Sequence, residues 1–140
     1  MLTLEADDNQ ALYWCIDASF SVHSDMKSHT GSIFTLGKGS ISSSSTKQKV
    51  NSRSTTESEL NGVEDKISKV IWTKKIIEAQ FFKVKLNMIY QDNTFTIKLL
   101  NDCRLSAGKR TCHFYIRLFY AANLIGIEME YKLSTVLLKI

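Results

Sequence analysis

Leu12, Tyr13, Trp14, Cys15 and Ile16 run without interruption into Asp17. A continuous apolar run of this length lacks the period-two alternation of a half-wet strand and has the pattern of a strand buried on both faces. It also delivers a carboxylate at its end, where burying a lone charge is expensive. A fold that accepts this segment must cover the strand and also give Asp17 a partner.

The rest of the chain supplies the covering elements. A polar lead-in (1–10) precedes the strand at 11–17, and a polar turn region (21–31) closes at Gly31. A second strand is expected at 32–36, a tight turn at Gly37, Lys38 and Gly39, and a third strand at 40–45, which together make an antiparallel meander. The longest periodic element spans 54–80. Leu60, Val63, Ile67, Val70, Ile71 and Ile77 recur at helical spacing, with Lys74 the one polar break. Ser54 with Glu57, and Thr56 with Glu59, are two candidate capping boxes at its start. A strand at 84–93 then ends near Asp92, followed by a helix at 94–101, a basic loop at 102–111, a helix at 113–125 stopped by Gly126, a strand at 127–132 and a tail at 133–140. Three meandering strands followed by helix–strand units predict an α/β domain, a mixed sheet with helices packed on it. Trp14, Trp72, Phe114 and Phe119 are expected in its core.

Composition narrows the class. With 140 residues, 44% hydrophobic and 23% charged, the chain fits one soluble domain with a real core. No apolar run approaches the roughly 18–20 residues of a membrane span, and the acidic start lacks a signal pattern. An intracellular, non-secreted protein without a membrane partner is expected. Cys15, Cys103 and Cys112 have no zinc-like spacing and read as free thiols in a reducing compartment. The net charge of +4 permits a polyanionic partner without demanding one.

Asp17 closes the first strand and Asp92 the fourth. Strands joined through a helical crossover can lie parallel and adjacent, which puts both carboxylates at one sheet edge, where open α/β sheets bind ligands. Two close carboxylates repel unless a cation neutralises them, and oxygen ligands favour Mg²⁺ or Mn²⁺. The long helix can add a third. Glu57 and Glu59 are two residues apart and point to roughly opposite sides. If Glu57 completes the box with Ser54, Glu59 is free for the metal. Each acid also has a plainer reading: Asp17 as a turn aspartate, Asp92 as a helix N-cap, Glu59 as part of the second capping box.

The stretches DASF, VHSDMKSHTG, KQKVNSRSTTESELNGV, YQDN and GKRTCHFYIRLF occur in this order between Tyr13 and Tyr131. Together they resemble the ribonuclease H domain of copia-type LTR retrotransposon polyproteins. The resemblance implies a ribonuclease H-like fold over 11–132, with a five-stranded mixed sheet flanked by helices. It implies hydrolysis of the RNA strand of an RNA–DNA hybrid with two Mg²⁺ or Mn²⁺ ions, and a reverse transcriptase domain of the same polyprotein as a second partner. By motif, Asp17, Glu59 and Asp92 match the metal-binding and catalytic acids. Given a hybrid substrate, Ser54, Thr55 and Thr56, beside that glutamate, suit contacts toward 2′-OH groups, and the basic run of Lys47, Lys49 and Arg53 suits contacts toward phosphates. The plainer readings of these two groups are helix capping and a solvated loop. Lys109 and Arg110 invite the phosphate reading more weakly, and His113 reads as structural. The chain departs from the family at its end. No Asp or Glu follows Glu130, so the family's fourth carboxylate is missing, the second metal position is weakened, and 133–140 reads as an atypical or truncated tail. A catalytically impaired, nucleic-acid-binding remnant is the competing expectation.

Overall fold

A computed structural model of the chain describes residues 4–7, 10–94 and 127–131, the last stretch as backbone. In chain order the elements are β1 (Glu5–Ala6), β2 (Ala11–Ser19), β3 (His29–Thr35), β4 (Gly37–Lys38), β5 (Ser42–Lys47), α1 (Thr55–Ala79), β6 (Leu86–Gln91) and β7 (Ile127–Tyr131). A five-stranded sheet has the order β5-β3-β2-β6-β7. β3 is antiparallel to β2, and β5 to β3, whereas β6 lies parallel to β2, and β7 to β6. This is the mixed α/β sheet expected from the sequence. The apolar run is its central strand, paired along both edges. The helix expected at 94–101 beyond Thr94, the helix at 113–125, the loop at 102–111 with Lys109 and Arg110, His113, Phe114, Phe119 and the tail at 133–140 lie outside the described residues.

One face of the sheet packs on α1. Leu12, Trp14 and Ile16 of β2, Phe34 of β3 and Ile89 of β6 meet Leu60, Val63, Ile67 and Val70 of the helix. The Trp14 ring stacks on Phe34 with centroids 4.5 Å apart. Each such side chain contributes about 1.5–3 kcal/mol on burial. Trp72 is a correction, since it is 62% exposed. It sits two residues past Val70, about 200° around the helix and off the apolar stripe. The helix packs tightly on the sheet at Gly62, where a Cβ would lie 3.3 Å from Thr30 Cγ2 and 3.4 Å from Ala18 Cβ.

Toward β5 this contact turns polar. Ser42, Ser44 and Thr46 pair in register with Phe34, Ser32 and Thr30 and so share the helix-facing side. Lys66, 8% exposed, donates to Ser44 Oγ and Thr46 Oγ1, both at 3.0 Å. Lys69 donates to Ser42 Oγ at 3.2 Å. Burial pulls the Lys66 ammonium below its ordinary pKa. The edge strand is thus tied to the helix by ammonium–hydroxyl hydrogen bonds where the central strands use apolar contact.

Several bounds differ from the sequence reading: β2 runs past Asp17 to Ser19, and β6 covers Leu86–Gln91 rather than 84–93. β3 starts at His29, so the polar turn region is shorter, and β5 is displaced to Ser42–Lys47. Gly37 and Lys38, expected in a tight turn, pair with Glu5 and Ala6 of the lead-in. This pairing needs a glycine, because a Cβ on Gly37 would lie 2.7 Å from the Glu5 carbonyl oxygen and the Asp7 amide nitrogen.

The close approach at Gly62 is testable by urea unfolding. Gly62→Leu is expected to cost about 1–3 kcal/mol through overpacking. Gly62→Ala should stay within about 1 kcal/mol of the parent, since crowding and the gain in helix propensity oppose each other. A Leu variant as stable as the parent would contradict the packing described.

Candidate metal centre

Three elements end at one place. The parallel register of β2 and β6 pairs Cys15 with Tyr90, so Asp17 and Asp92 lie level at the same edge; Asp92 follows β6, whereas Asp17, expected to close its strand, lies within β2, which runs on to Ser19. The third acid comes from the start of α1. Ser54 is the N-cap, and its Oγ accepts from the Glu57 amide at 3.2 Å. The Glu57 carboxylate reaches back to the Arg53 amide at 2.8 Å. Ser54 and Glu57 are therefore the capping pair, with the Glu57 carboxylate on the Arg53 amide rather than on that of Ser54, and Glu59, two residues on, turns inward. Each of Asp17, Glu59 and Asp92 offers a carboxylate oxygen within 4.8 Å of the other two. Asp17 and Asp92 are half-buried, and Glu59 is 4% exposed.

Hydrogen bonds fix Glu59 from both strands. Gln91, the last residue of β6 and 1% exposed, donates from Nε2 to Glu59 Oε2 at 2.8 Å. The Ala18 amide on β2 also donates to this carboxylate. These donors favour the charged form but do not prevail. Burial first, then the charges of Asp17 and Asp92, raise the Glu59 pKa to about 8. Burial, followed by Asp17, raises that of Asp92. Three carboxylates in mutual repulsion, one of them nearly out of water, form a donor set that a hard divalent cation would relieve. The residues present fit Mg²⁺ or Mn²⁺.

The expected nucleic-acid contacts flank this edge. Lys47 ends β5 and forms an ion pair with Asp25 of the β2–β3 connection at 2.6 Å. Lys49 and Arg53 are exposed in the segment between β5 and α1. Ser54 caps the helix, and Thr55 and Thr56 open it, Thr55 exposed and Thr56 half-buried.

A buried polar network missed in the sequence holds this segment. Gln48, 2% exposed, donates from Nε2 to Thr30 Oγ1 at 2.9 Å and to the Ser58 carbonyl at 2.8 Å. Ser52 Oγ donates to Gln48 Oε1 at 3.3 Å and accepts from Asn61 Nδ2 at 2.8 Å. Lys47 and Lys49 flank Gln48, so the whole run reads as solvated. Gln91 had a signal, since Asn87, Ile89 and Gln91 alternate along β6 on its buried side.

No family model matches the sequence, and no curated protein matches it. Solved structures do match the fold. One is LC11-RNase H1 from compost in complex with an RNA/DNA hybrid, with a TM-score of 0.67, 5% identity and 89% of this chain and 87% of that chain covered. Another is the ribonuclease H domain of Prototype Foamy Virus, with a TM-score of 0.62, 9% identity and coverage of 88% and 79%. A third is the protease–reverse transcriptase of that virus, with a TM-score of 0.55, 9% identity and 87% of this chain but 17% of that chain covered. The fold of this chain is ribonuclease H-like.

The electrostatics give a prediction for the metal-free chain. Glu59 titrates near 8 when folded against an ordinary value of 4.5. Between these values the folded chain holds a proton that the unfolded chain has released. Its stabilising effect is full below the lower value and is lost as pH rises through the upper one. Unfolding free energy in urea with EDTA should therefore fall from pH 5 to pH 8. Glu59→Gln should remove most of that slope, the raised pKa of Asp92 leaving a smaller one of the same sign. Stability that is flat or rising across this window would contradict the buried position of Glu59.

Proposed function

We propose that this chain is a retrotransposon-type ribonuclease H of the copia kind, which hydrolyses the RNA strand of RNA–DNA hybrids. The convergence of Asp17, Glu59 and Asp92 within 4.8 Å at the carboxyl edge of a ribonuclease H-like sheet carries this reading. Asp17, Glu59 and Asp92 would hold the divalent ions. When bound, Mg²⁺ or Mn²⁺, two ions on the two-metal reading, supplies Lewis-acid stabilisation of the charge that develops on the phosphodiester.

The chain's own groups do the rest. Gln91 and the Ala18 amide hold the Glu59 carboxylate in one orientation. The Ser54 hydroxyl accepts from the Glu57 amide, which leaves its O–H to donate to a ribose 2′-OH. Thr55 and Thr56 present hydroxyls beside it. Lys49 and Arg53, with Lys47 once released from Asp25, meet the phosphates and fix the register of the hybrid. The foamy virus enzyme, in which a matching unit is a small part of a protease–reverse transcriptase, supports a reverse transcriptase domain as partner.

The test is cleavage of a labelled RNA–DNA hybrid with Mg²⁺ or Mn²⁺. Asp92→Asn should lower the rate by more than about 100-fold, beyond the 10–100-fold typical of losing an outer-shell partner. An unchanged rate in that variant would overturn the proposal. A folded parent chain that binds hybrid but leaves the RNA intact would support the impaired, binding-only reading instead.

A further inference from the structure

The metal ligands sit on three separate elements, and a single side chain joins two of them. Gln91 is 1% exposed at the end of β6. Its Nε2 donates to Glu59 Oε2 at 2.8 Å, and its Oε1 accepts from the Asp92 amide at 3.2 Å. The two bonds fix the amide orientation. The Asp92 N–H demands the oxygen end, so the nitrogen end must face Glu59. The chain of contacts therefore runs from the Asp92 backbone through the Gln91 amide to the Glu59 carboxylate. No other residue type does this as well at this length. A glutamate here would bring a like charge against Glu59, and a Met of similar size would leave both Glu59 Oε2 and the Asp92 amide without this partner.

We infer that Gln91 is a positioning residue, which sets the placement of Glu59 relative to Asp92 and thereby the affinity of the site for its divalent ion. The inference rests on the metal-binding reading above and adds to it a residue that would touch neither ion nor substrate. An ion of octahedral preference tolerates little displacement of its ligands. A glutamate on a helix and an aspartate past a strand share no backbone framework that would keep their oxygens in register. The Gln91 amide supplies that link across the helix–sheet boundary.

The experiment measures metal binding rather than turnover. Mn²⁺ is titrated into the parent chain and into Gln91→Met, and free Mn²⁺ is read by electron paramagnetic resonance. The variant should bind Mn²⁺ about 10–100-fold more weakly, as expected for loss of a hydrogen bond behind a ligand. A second readout uses the parent chain alone and so does not depend on the variant folding. The Gln91 side-chain amide resonances should shift on Mg²⁺ titration, with the midpoint of the Glu59 carboxyl signal. A folded Gln91→Met with parental Mn²⁺ affinity, or Gln91 resonances indifferent to Mg²⁺ while Glu59 responds, would overturn this inference and leave the metal site standing. A parent chain that binds no Mn²⁺ would overturn the metal site and this inference with it.

Discussion

Glu59 is placed nearly out of water, between the ends of two strands that each bring an aspartate, and the carboxyl edge is organised around that choice. Desolvation and like charge both act against its ionised form, and two hydrogen bonds are too little to reverse them. A fold that keeps such an arrangement needs α1 held tightly to the sheet and a route for relieving the charge. The first comes from the contact at Gly62 and from the apolar seam of Val63, Ile67 and Val70 against β2. The second is what a divalent cation would provide.

The same helix solves two packing problems with one sequence. Over β2 and β6 it presents aliphatic side chains to Leu12, Trp14, Ile16 and Ile89. Over β5, whose helix-facing residues are Ser42, Ser44 and Thr46, an apolar contact would leave hydroxyls unpaired, and Lys66 and Lys69 meet them instead. Gln48 extends this polar side to the segment that carries Lys49 and Arg53. The segment that carries Lys49 and Arg53 and the helix turn that carries Glu59 are therefore held by one polar network at the start of α1.

Much of this was legible in the residues. The apolar run up to Asp17 reads as a doubly buried strand and is the central one. The two-residue spacing of Glu57 and Glu59 separates a capping role from an inward-facing one, and the hydrogen bonds of Ser54 and Arg53 realise that split. Where the reading fell short, the deciding contact was remote in sequence. Gln48 looks like part of a solvated basic run because its partners, Thr30 and Ser58, come from other elements. Lys66 looks like a surface lysine unless the hydroxyls of Ser44 and Thr46 are known to lie beneath it. The pairing of Glu5 and Ala6 with Gly37 and Lys38 has no local pattern, being fixed by how closely two backbones approach. Trp72 was the reverse case, since its offset from Val70 already placed it off the apolar face.

The most direct test of the central claim is anomalous diffraction from crystals of the chain soaked in Mn²⁺. The arrangement described here predicts manganese density at the ends of β2 and β6, within coordination distance of carboxylate oxygens of Asp17, Glu59 and Asp92. Ordered protein with no manganese at that edge, or with Glu59 turned away from both aspartates, would contradict it.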